Sequence, residues 1–251
     1  MLAIAVAGVL AACPAAAGPA MRVFIASDST AQDYGQERYP QQGWGMMLRC
    51  AFDKDVQVDN RAVAARSSRS FIAEGRLDAI ARDIRAGATL LIQFGHNDAN
   101  QAKPERYATV TDYKGYLRRY LEVARRAGAR AVLVTPVTRR NFVEGRIAPS
   151  FPDYSQAVRE VAAETRTPLI DLEALSARWV ERAGVERSRS YFLPDDTHFS
   201  ELGARGVADI VAGALAGLPL PVSGKVLRQR PALTRATPTG DARCATSPEG
   251  R

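Results

Sequence analysis

The sequence predicts a three-layer α/β domain in which a parallel sheet of five strands lies between two layers of helices. Between residues 21 and 217, short continuous apolar runs alternate with segments whose apolar residues recur at helical spacing. Continuous apolar runs are typical of strands that are covered on both faces. Strands that alternate with helices indicate right-handed crossovers and therefore a parallel sheet. The sequence shows neither an internal repeat nor a second domain.

The predicted strands are at most eight residues long and rich in Val, Ile or Leu. They are Met21–Ser27, Val56–Val63, Thr89–Phe94, Arg130–Pro136 and Pro168–Leu172. The predicted helices carry apolar residues at three- and four-residue steps, so that each has one apolar face. They are Leu77–Ala86, Val110–Ala127, Asp153–Thr165 and Glu201–Leu215. Gly128 follows the second helix directly and provides a C-terminal stop.

The chain is basic, with a formal net charge of +7 over 251 residues, and this charge is unevenly distributed. Residues 222–251 carry +4 of it, which leaves +3 on everything before them. That body has no stripe of basic residues interleaved with aromatic ones, so we do not expect nucleic acid as a partner. Residues 219–251 are rich in Pro, Ser, Thr, Gly and Arg, and we expect them to form a disordered basic tail behind a domain of residues 21–218.

Residues 1–20 carry no charge and predict a signal peptide or a lipoprotein signal. The apolar run Leu2–Ala12 is too short to span a bilayer, and Ala15–Ala17 offers small residues for cleavage. The segment that ends at Cys13 resembles a bacterial lipobox, whose cysteine becomes lipidated. We therefore expect an exported monomer, secreted, periplasmic or anchored to the membrane through a lipidated Cys13. A disordered, Ala-rich terminus on a cytosolic protein is the open alternative.

The three cysteines are Cys13, Cys50 and Cys244, and no CxxC pair indicates a zinc site. Cys50 lies in an apolar helical stretch and fits a small buried side chain. A Cys50–Cys244 disulfide is an open alternative in an oxidising compartment, because spacing alone cannot establish it.

The sequence contains four polar clusters that we expect to meet at one edge of the sheet. In parallel sheets, reactive residues collect at the carboxyl ends of the strands. Three follow predicted strands and the fourth precedes the last helix: Ser27–Thr30, Asn60–Arg69, Gly95–Asp98 and Asp195–His198.

These clusters contain the groups that acyl transfer needs, namely a nucleophile, a base, an orienting acid and oxyanion donors. Ser29 would be the nucleophile, His198 its base, and Asp195 the carboxylate that holds the imidazole. The Asn97 amide and backbone N–H groups would bind the oxyanion. Taken singly, Ser29 fits a helix cap and Asn97 a turn former. However, both histidines of the chain lie within these clusters, which favours catalysis.

In order, the four clusters resemble the four sequence blocks of the SGNH, or GDSL-type, hydrolases over residues 23–214. The segment Asn60–Phe71, with Gly43–Gly45 before it and Glu74–Arg76 after it, is similar to the rhamnogalacturonan acetylesterase branch. The resemblance implies a flavodoxin-like α/β/α fold with Ser29, Asp195 and His198 as catalytic residues. It also implies an oxyanion hole formed by the N–H groups of Ser29 and Ala65 and the side chain of Asn97. We expect neither a metal nor an organic cofactor, since no metal-ligand spacing is present.

The chain departs from the family pattern at Ser27 and Ala65, where the family usually has glycine. Ser27 contributes no reacting group. We expect activity to survive if φ at Ala65 is negative, whereas a left-handed conformation would cost about 1 kcal/mol or more. His96 competes with His198 as base, but the family's catalytic histidine lies in the last block. We therefore expect His96 to hydrogen-bond loops or to line the substrate site.

The resemblance implies deacetylation of pectin-type polysaccharide, in particular of acetylated galacturonate in rhamnogalacturonan. Arg66 and Arg69 are candidates for binding a galacturonate carboxylate, because arginine offers a bidentate fork; intramolecular salt bridges are the alternative. Trp44 would stack on a sugar ring or pack in the core. Two other functions stay open. One is lipid or thioester hydrolysis, against which the chain has no long apolar lid segment; the other is non-catalytic carbohydrate binding.

Overall fold

Five parallel strands form the central sheet of the computed structural model, which describes residues 21–240 and Cys244. The strand order is β2-β1-β3-β4-β7, with β1 at Met21–Ala26, β2 at Val56–Asn60, β3 at Thr89–Gln93, β4 at Arg130–Val134 and β7 at Leu169–Ile170. A hairpin outside this sheet pairs β5, Phe142–Val143, with β6, Arg146–Ile147. The predicted α/β class with five parallel strands is confirmed. The predicted signal sequence, residues 1–20, lies outside the described residues.

Eight α-helices are present in the described part of the chain. They are α1 Trp44–Leu48, α2 Ser68–Ala73, α3 Arg76–Asp83, α4 Val110–Arg126, α5 Pro152–Thr165, α6 Leu172–Ser188, α7 Glu201–Ala216 and α8 Pro231–Thr234. The four predicted helices correspond to α3, α4, α5 and α7. The long α6 was not predicted, because its buried positions include the polar Ser176 and because Gly184 interrupts it with a φ of 78°. No helix within residues 21–240 is long and apolar enough to cross a membrane.

Successive residues of each central strand enter two different hydrophobic cores. In β1, Val23 and Ile25 pack with α1, α6 and α7, whereas Phe24 and Ala26 pack with α2 to α5. All four side chains are completely buried. This two-sided burial explains why the strands have continuous apolar sequences, and it fixes which strand ends point to the same edge.

The prediction of a disordered tail is wrong for residues 219–240, which pack against the domain. We call this segment, together with Cys244, the C-terminal strap. It contains a 3₁₀ helix at Pro221–Lys225 and the helix α8. Its apolar residues are few and follow no period, yet they enter the same core as α7: Leu220, Val222, Ala232 and Leu233. Burial of these side chains offsets the conformational entropy that the segment loses when it becomes ordered.

Two further contacts hold the strap. Cys50, which lies in the 3₁₀ helix Arg49–Ala51, forms a disulfide with Cys244. The buried Glu201 carboxylate accepts backbone N–H groups from Thr239 at 2.8 Å and from Gly240 at 2.9 Å. The same carboxylate pairs with the buried Arg205 guanidinium at 2.5 Å. The folded unit therefore extends beyond the predicted boundary at residue 218.

Candidate active site

Ser29 lies in the turn that follows β1, at the carboxyl edge of the sheet. The turn is closed by Asp28, whose carboxylate accepts the Thr30 N–H at 2.9 Å and the Thr30 hydroxyl at 2.8 Å. The Tyr34 hydroxyl donates to the Ser29 carbonyl at 2.8 Å. β1 and β3 are neighbours on the sheet, although the connection from β1 leads to β2 on its other side. Such a switch point leaves a crevice at the strand ends, where α/β proteins bind ligands.

The hydroxyl of Ser29 contacts a histidine from the far end of the chain. The Ser29 Oγ lies 2.9 Å from His198 Nε2, and His198 Nδ1 lies 2.6 Å from Asp195 Oδ2. Asp195 also accepts the backbone N–H groups of His198 at 2.9 Å and Thr197 at 3.0 Å. The structure thus brings together the three residues that the sequence predicts to react.

The charge of Asp195 is stabilised within this loop. Partial burial raises the pKa of the Asp195 carboxyl, but the hydrogen bonds from the His198 ring and from the His198 and Thr197 N–H groups outweigh it. The net effect places the pKa of Asp195 below its usual range. An ionised Asp195 fixes the imidazole with Nδ1–H towards the carboxylate, which leaves Nε2 as an acceptor facing the Ser29 hydroxyl.

Each of the three predicted oxyanion donors has at least one N–H hydrogen that makes no hydrogen bond within the described residues. The backbone N–H groups of Ser29 and Ala65 make no hydrogen bond to any residue in the described ranges. Asn97 donates one amide hydrogen to the Arg66 carbonyl at 3.0 Å, and its side-chain oxygen accepts from Arg106 at 3.0 Å. These two bonds fix the amide orientation and leave its second hydrogen free to donate.

Ala65 has a φ of 64°, so the left-handed conformation is the one that occurs. We expected activity to survive if φ at Ala65 were negative, and the observed φ is positive. An alanine in this region costs about 1 kcal/mol, because Cβ approaches the following carbonyl. The side chain of Ala65 is exposed, so no packing contact of its own offsets that cost. The N–H is nevertheless kept, because alanine differs from glycine here in strain and not in its donor.

His96 lies under the site in a buried pair with Asp28. Its Nδ1 is 3.5 Å from Asp28 Oδ2, and its ring packs edge-on against Phe151 at 4.8 Å between centroids. Burial raises the pKa of the Asp28 carboxyl, but His96 and the donors of Thr30 outweigh it and hold the pKa below its usual range. His198, and not His96, is the histidine in contact with Ser29. The proposed role of His96 in lining the substrate site stays a prediction.

Asp98, one residue after Asn97, anchors the loop after β3 to α2. Its carboxylate accepts the N–H and hydroxyl of Ser68 at 3.0 and 2.5 Å and the Gly95 N–H at 3.1 Å. Burial nevertheless raises the pKa of Asp98 to about 7, because full desolvation of the charge outweighs these donors. This anchor holds the turn that carries Asn97.

The arginines predicted to bind substrate have intramolecular partners. The Arg66 Nε lies 3.0 Å from the Glu74 carboxylate, and its Nη1 donates to the Ala64 carbonyl at 2.9 Å. Arg69 donates to the carbonyls of Pro104 and Tyr107, each at 3.1 Å. These contacts are the intramolecular alternative that the sequence left open.

Of the two roles that the sequence left open for Trp44, the structure shows packing in the core and contradicts stacking on a sugar. The side chain is completely buried at the start of α1, and its indole N–H donates to the Gln93 side chain at 2.8 Å. A buried tryptophan whose donor is satisfied fills the core between α1 and the sheet. Its partner is distant in sequence, so the local pattern around Trp44 could not reveal it.

Sequence reasoning missed Arg139, which follows β4 at the same edge of the sheet. Its guanidinium stacks on the Phe151 ring at 4.7 Å from the centroid, beside His96. The available signal was the basic pair Arg139-Arg140 at the carboxyl end of a predicted strand, where the other strands have polar clusters. Within the described residues, no group of three or more His, Cys, Asp or Glu side chains could hold a metal ion.

Residues 28–205 match the GDSL-like lipase/acylhydrolase family. The chain belongs to this family. Its match begins one residue before Ser29 and includes all four polar clusters except Ser27, so the resemblance inferred from them is confirmed.

Among curated proteins, the chain is 40% identical to the probable rhamnogalacturonan acetylesterase YesY of Bacillus subtilis strain 168. That match covers 84% of this chain and all of the relative. It is 39% identical to rhamnogalacturonan acetylesterase RhgT of the same strain, over 80% of this chain and 92% of RhgT. These similarities confirm the resemblance to the rhamnogalacturonan acetylesterase branch.

A solved structure supports the fold. The crystal structure of Bacillus subtilis protein YxiM superposes with a TM-score of 0.72 and 29% identity. The match covers 78% of this chain and 56% of the YxiM chain, so this chain spans little more than half of that protein.

Proposed function

We propose that the protein is a serine esterase that removes acetyl groups from pectin-type polysaccharide, with acetylated rhamnogalacturonan as substrate. The observation that carries the proposal is the hydrogen-bonded chain Ser29–His198–Asp195 at the carboxyl edge of the sheet. The names of YesY and RhgT support the choice of substrate.

In the first half of the reaction, Ser29 Oγ attacks the acetyl carbonyl carbon while His198 Nε2 takes the hydroxyl proton. The negative charge that develops on the carbonyl oxygen accepts hydrogen bonds from the N–H groups of Ser29, Ala65 and Asn97. Asp195 stabilises the imidazolium that forms. Collapse of the intermediate breaks the bond to the sugar oxygen, which takes the proton from His198 and leaves as the free hydroxyl.

The second half repeats these steps with water. His198 removes a proton from a water molecule, whose oxygen attacks the acetyl group on Ser29. The oxyanion donors act again, and acetate departs as Ser29 recovers its proton. The reaction uses only groups of this chain and water.

The alternative functions make different demands on the site. A lipid or thioester hydrolase would accept long acyl chains, and a carbohydrate-binding protein would need no reactive serine. The free N–H groups of Ser29 and Ala65 argue against the binding protein, since a collapsed oxyanion hole would leave them paired or blocked.

The test measures acetate release by the purified chain from acetylated rhamnogalacturonan, acetylated xylan and a triglyceride. We expect rhamnogalacturonan to give the highest kcat/KM, and nitrophenyl acetate to be preferred over nitrophenyl octanoate. A fluorophosphonate should label the protein at Ser29, with Ser29→Ala as the unlabelled control. Asn97→Ala should lower kcat by roughly 10²–10³-fold, the effect of losing one oxyanion donor. Preference for the triglyceride would favour the lipid hydrolase, and absence of labelling would favour the binding protein.

We also propose that the protein is exported and acts as a monomer. The uncharged residues 1–20 and the Cys50–Cys244 disulfide support export, because disulfides persist in oxidising compartments. Fractionation of a bacterial host should place the mature chain outside the cytoplasm. Lipid labelling that is lost in Cys13→Ala would assign a lipoprotein, and its absence would assign a secreted or periplasmic form. Light scattering should give the mass of one chain.

A further inference from the structure

Four arginines around the active site have contacts that occupy them. Arg66 pairs with Glu74, and Arg69 donates to two backbone carbonyls. Arg106 donates to the Asn97 oxygen at 3.0 Å. Arg140 pairs with Asp196 at 3.0 Å and donates to the Val185 carbonyl at 2.7 Å. Each of these four guanidinium groups already has an acceptor within the protein on at least one of its N–H groups.

Arg139, the residue before Arg140, has no such partner in the described part of the chain. Its side chain makes no hydrogen bond and no ion pair with any residue in the described ranges, and its Nε is buried. The guanidinium carbon lies over the Phe151 ring, 4.7 Å from its centroid, and the side chain stays partly exposed. A cation that has lost part of its hydration without gaining a counter-ion is costly, unless a ligand supplies the missing charge.

The position of Arg139 ties it to the reacting residues. The next residue, Arg140, donates its backbone N–H to the Asp196 carbonyl at 2.8 Å, which fixes the loop after β4 against the Asp195–His198 loop. On its other side, Phe151 contacts His96, which pairs with Asp28 beneath Ser29. Burial lowers the pKa of the Arg139 guanidinium, and the nearby carboxylates of Asp195 and Asp28 offset only part of that effect.

We propose that Arg139 binds the carboxylate of an acidic sugar in the substrate and so selects uronate-containing polysaccharide, an inference that rests on the proposed function. The planar guanidinium offers two parallel N–H donors that match the two oxygens of a carboxylate. The Phe151 ring packs against the guanidinium and restricts its movement. Arg139 thereby takes the role that the sequence had suggested for Arg66 and Arg69.

The test uses inhibition of nitrophenyl acetate hydrolysis, which does not depend on whether rhamnogalacturonan is deacetylated. The inhibitors are unacetylated oligogalacturonate and its methyl ester, which differ in the carboxylate charge and in one methyl group per sugar. We expect the wild-type chain to bind the free acid at least tenfold more tightly than the ester, and Arg139→Gln to lose that discrimination. Arg139→Lys should keep part of it, because an ammonium retains the charge without the fork.

Arg66→Gln is the matched control, because it removes the same charge from an arginine that already has a carboxylate partner. It should retain the discrimination between acid and ester. Equal inhibition of the wild-type chain by acid and ester would overturn the inference, whatever polysaccharide the protein deacetylates. So would discrimination that persists in Arg139→Gln or is lost in Arg66→Gln. If Arg139→Gln does not fold, unchanged discrimination in Arg139→Lys overturns the inference. Failure of the proposed function would instead appear as absent acetate release from rhamnogalacturonan.

Discussion

His198 Nε2 lies 2.9 Å from Ser29 Oγ, although 169 residues separate the two along the chain. The loop of His198 is held by a bridge between Gln42 and Phe199 and by a hydrogen bond from the Leu193 N–H to the His198 carbonyl at 2.8 Å. The imidazole is therefore preorganised towards the serine before substrate arrives, as an activated nucleophile requires.

Replacement of either reacting residue should abolish most of the activity. We expect Ser29→Ala and His198→Ala each to lower kcat on nitrophenyl acetate by roughly 10⁴–10⁶-fold, because the nucleophile and its base act as one unit. The double variant should be no slower than either single variant. Steady-state kinetics with circular dichroism as a check on folding would measure this.

His96→Ala is the matched histidine variant. Its loss in kcat should be much smaller than that of His198→Ala, because His96 faces Asp28 and Phe151 and makes no contact with Ser29 in the described structure. Equal losses in the two variants would contradict the assignment of the base.

Because of the backbone strain at Ala65, we expect glycine at this position to be at least as stabilising as alanine, and valine to be destabilising. Ala65→Gly removes the left-handed penalty of about 1 kcal/mol but gives back part of it as extra entropy of the unfolded chain. We expect its free energy of unfolding in urea to equal or slightly exceed that of the wild-type chain. Ala65→Val should lower it by more than 1 kcal/mol, because β-branched residues strongly disfavour this conformation. If Ala65→Val were as stable as the wild-type chain, the left-handed backbone would be wrong.

Asp98 predicts a pH dependence of stability. Its pKa in the folded state is about 7, well above its usual value, so the folded protein binds the proton more tightly than the unfolded chain does. This contribution to stability is complete below the usual pKa and is lost as the pH rises towards 7. Between pH 5 and 8 the loss should be on the order of 2 kcal/mol.

Asp98→Asn cannot titrate, so its free energy of unfolding should lack this component. The variant should be less stable than the wild-type chain, because its amide nitrogen cannot accept from Ser68 or Gly95. The difference in free energy of unfolding between the wild-type chain and Asp98→Asn, measured by urea unfolding, should become smaller as the pH rises from 5 to 8. A gap that stays constant or widens would show that Asp98 is ionised in the folded protein.

The disulfide to Cys50 predicts the outcome of Cys244→Ser. The bridge closes a loop of 194 residues, and its loss should lower the free energy of unfolding by about 2–4 kcal/mol. Because Cys244 is exposed, the serine itself adds no buried polar group. Reduction of the wild-type chain with dithiothreitol is the matched control and should lower the melting temperature equally. A larger effect of the substitution than of reduction would contradict this account.

The sheet could be predicted because each strand is short, apolar and bounded by polar turns. The predicted strands exceed the observed ones by at most three residues at either end, since the apolar pattern runs on into the turns. The triad could be predicted because parallel strands bring their carboxyl ends together and because histidine is scarce. Contacts that join distant residues were not visible, as the burial of Trp44 against Gln93 shows.

The backbone conformation at Ala65 and the pairing of the arginines could not be predicted from the sequence either. Nothing in the residue types around Ala65 distinguishes φ of 64° from a negative value. Arg66 and Arg139 have the same side chain. Only the structure shows that Arg66 pairs with Glu74, whereas Arg139 lies over Phe151. Which arginine is available depends on neighbours that come together only on folding.

The C-terminal strap changes what counts as the catalytic unit. Glu201, whose carboxylate accepts hydrogen bonds from Thr239 and Gly240 of the strap, begins α7 three residues after His198. The C-terminal strap thus packs against the start of α7, next to the loop that carries His198. A version shortened at residue 218 should have a lower free energy of unfolding, because the strap residues leave the core. A peptide of residues 219–251, added in trans, should restore the lost stability.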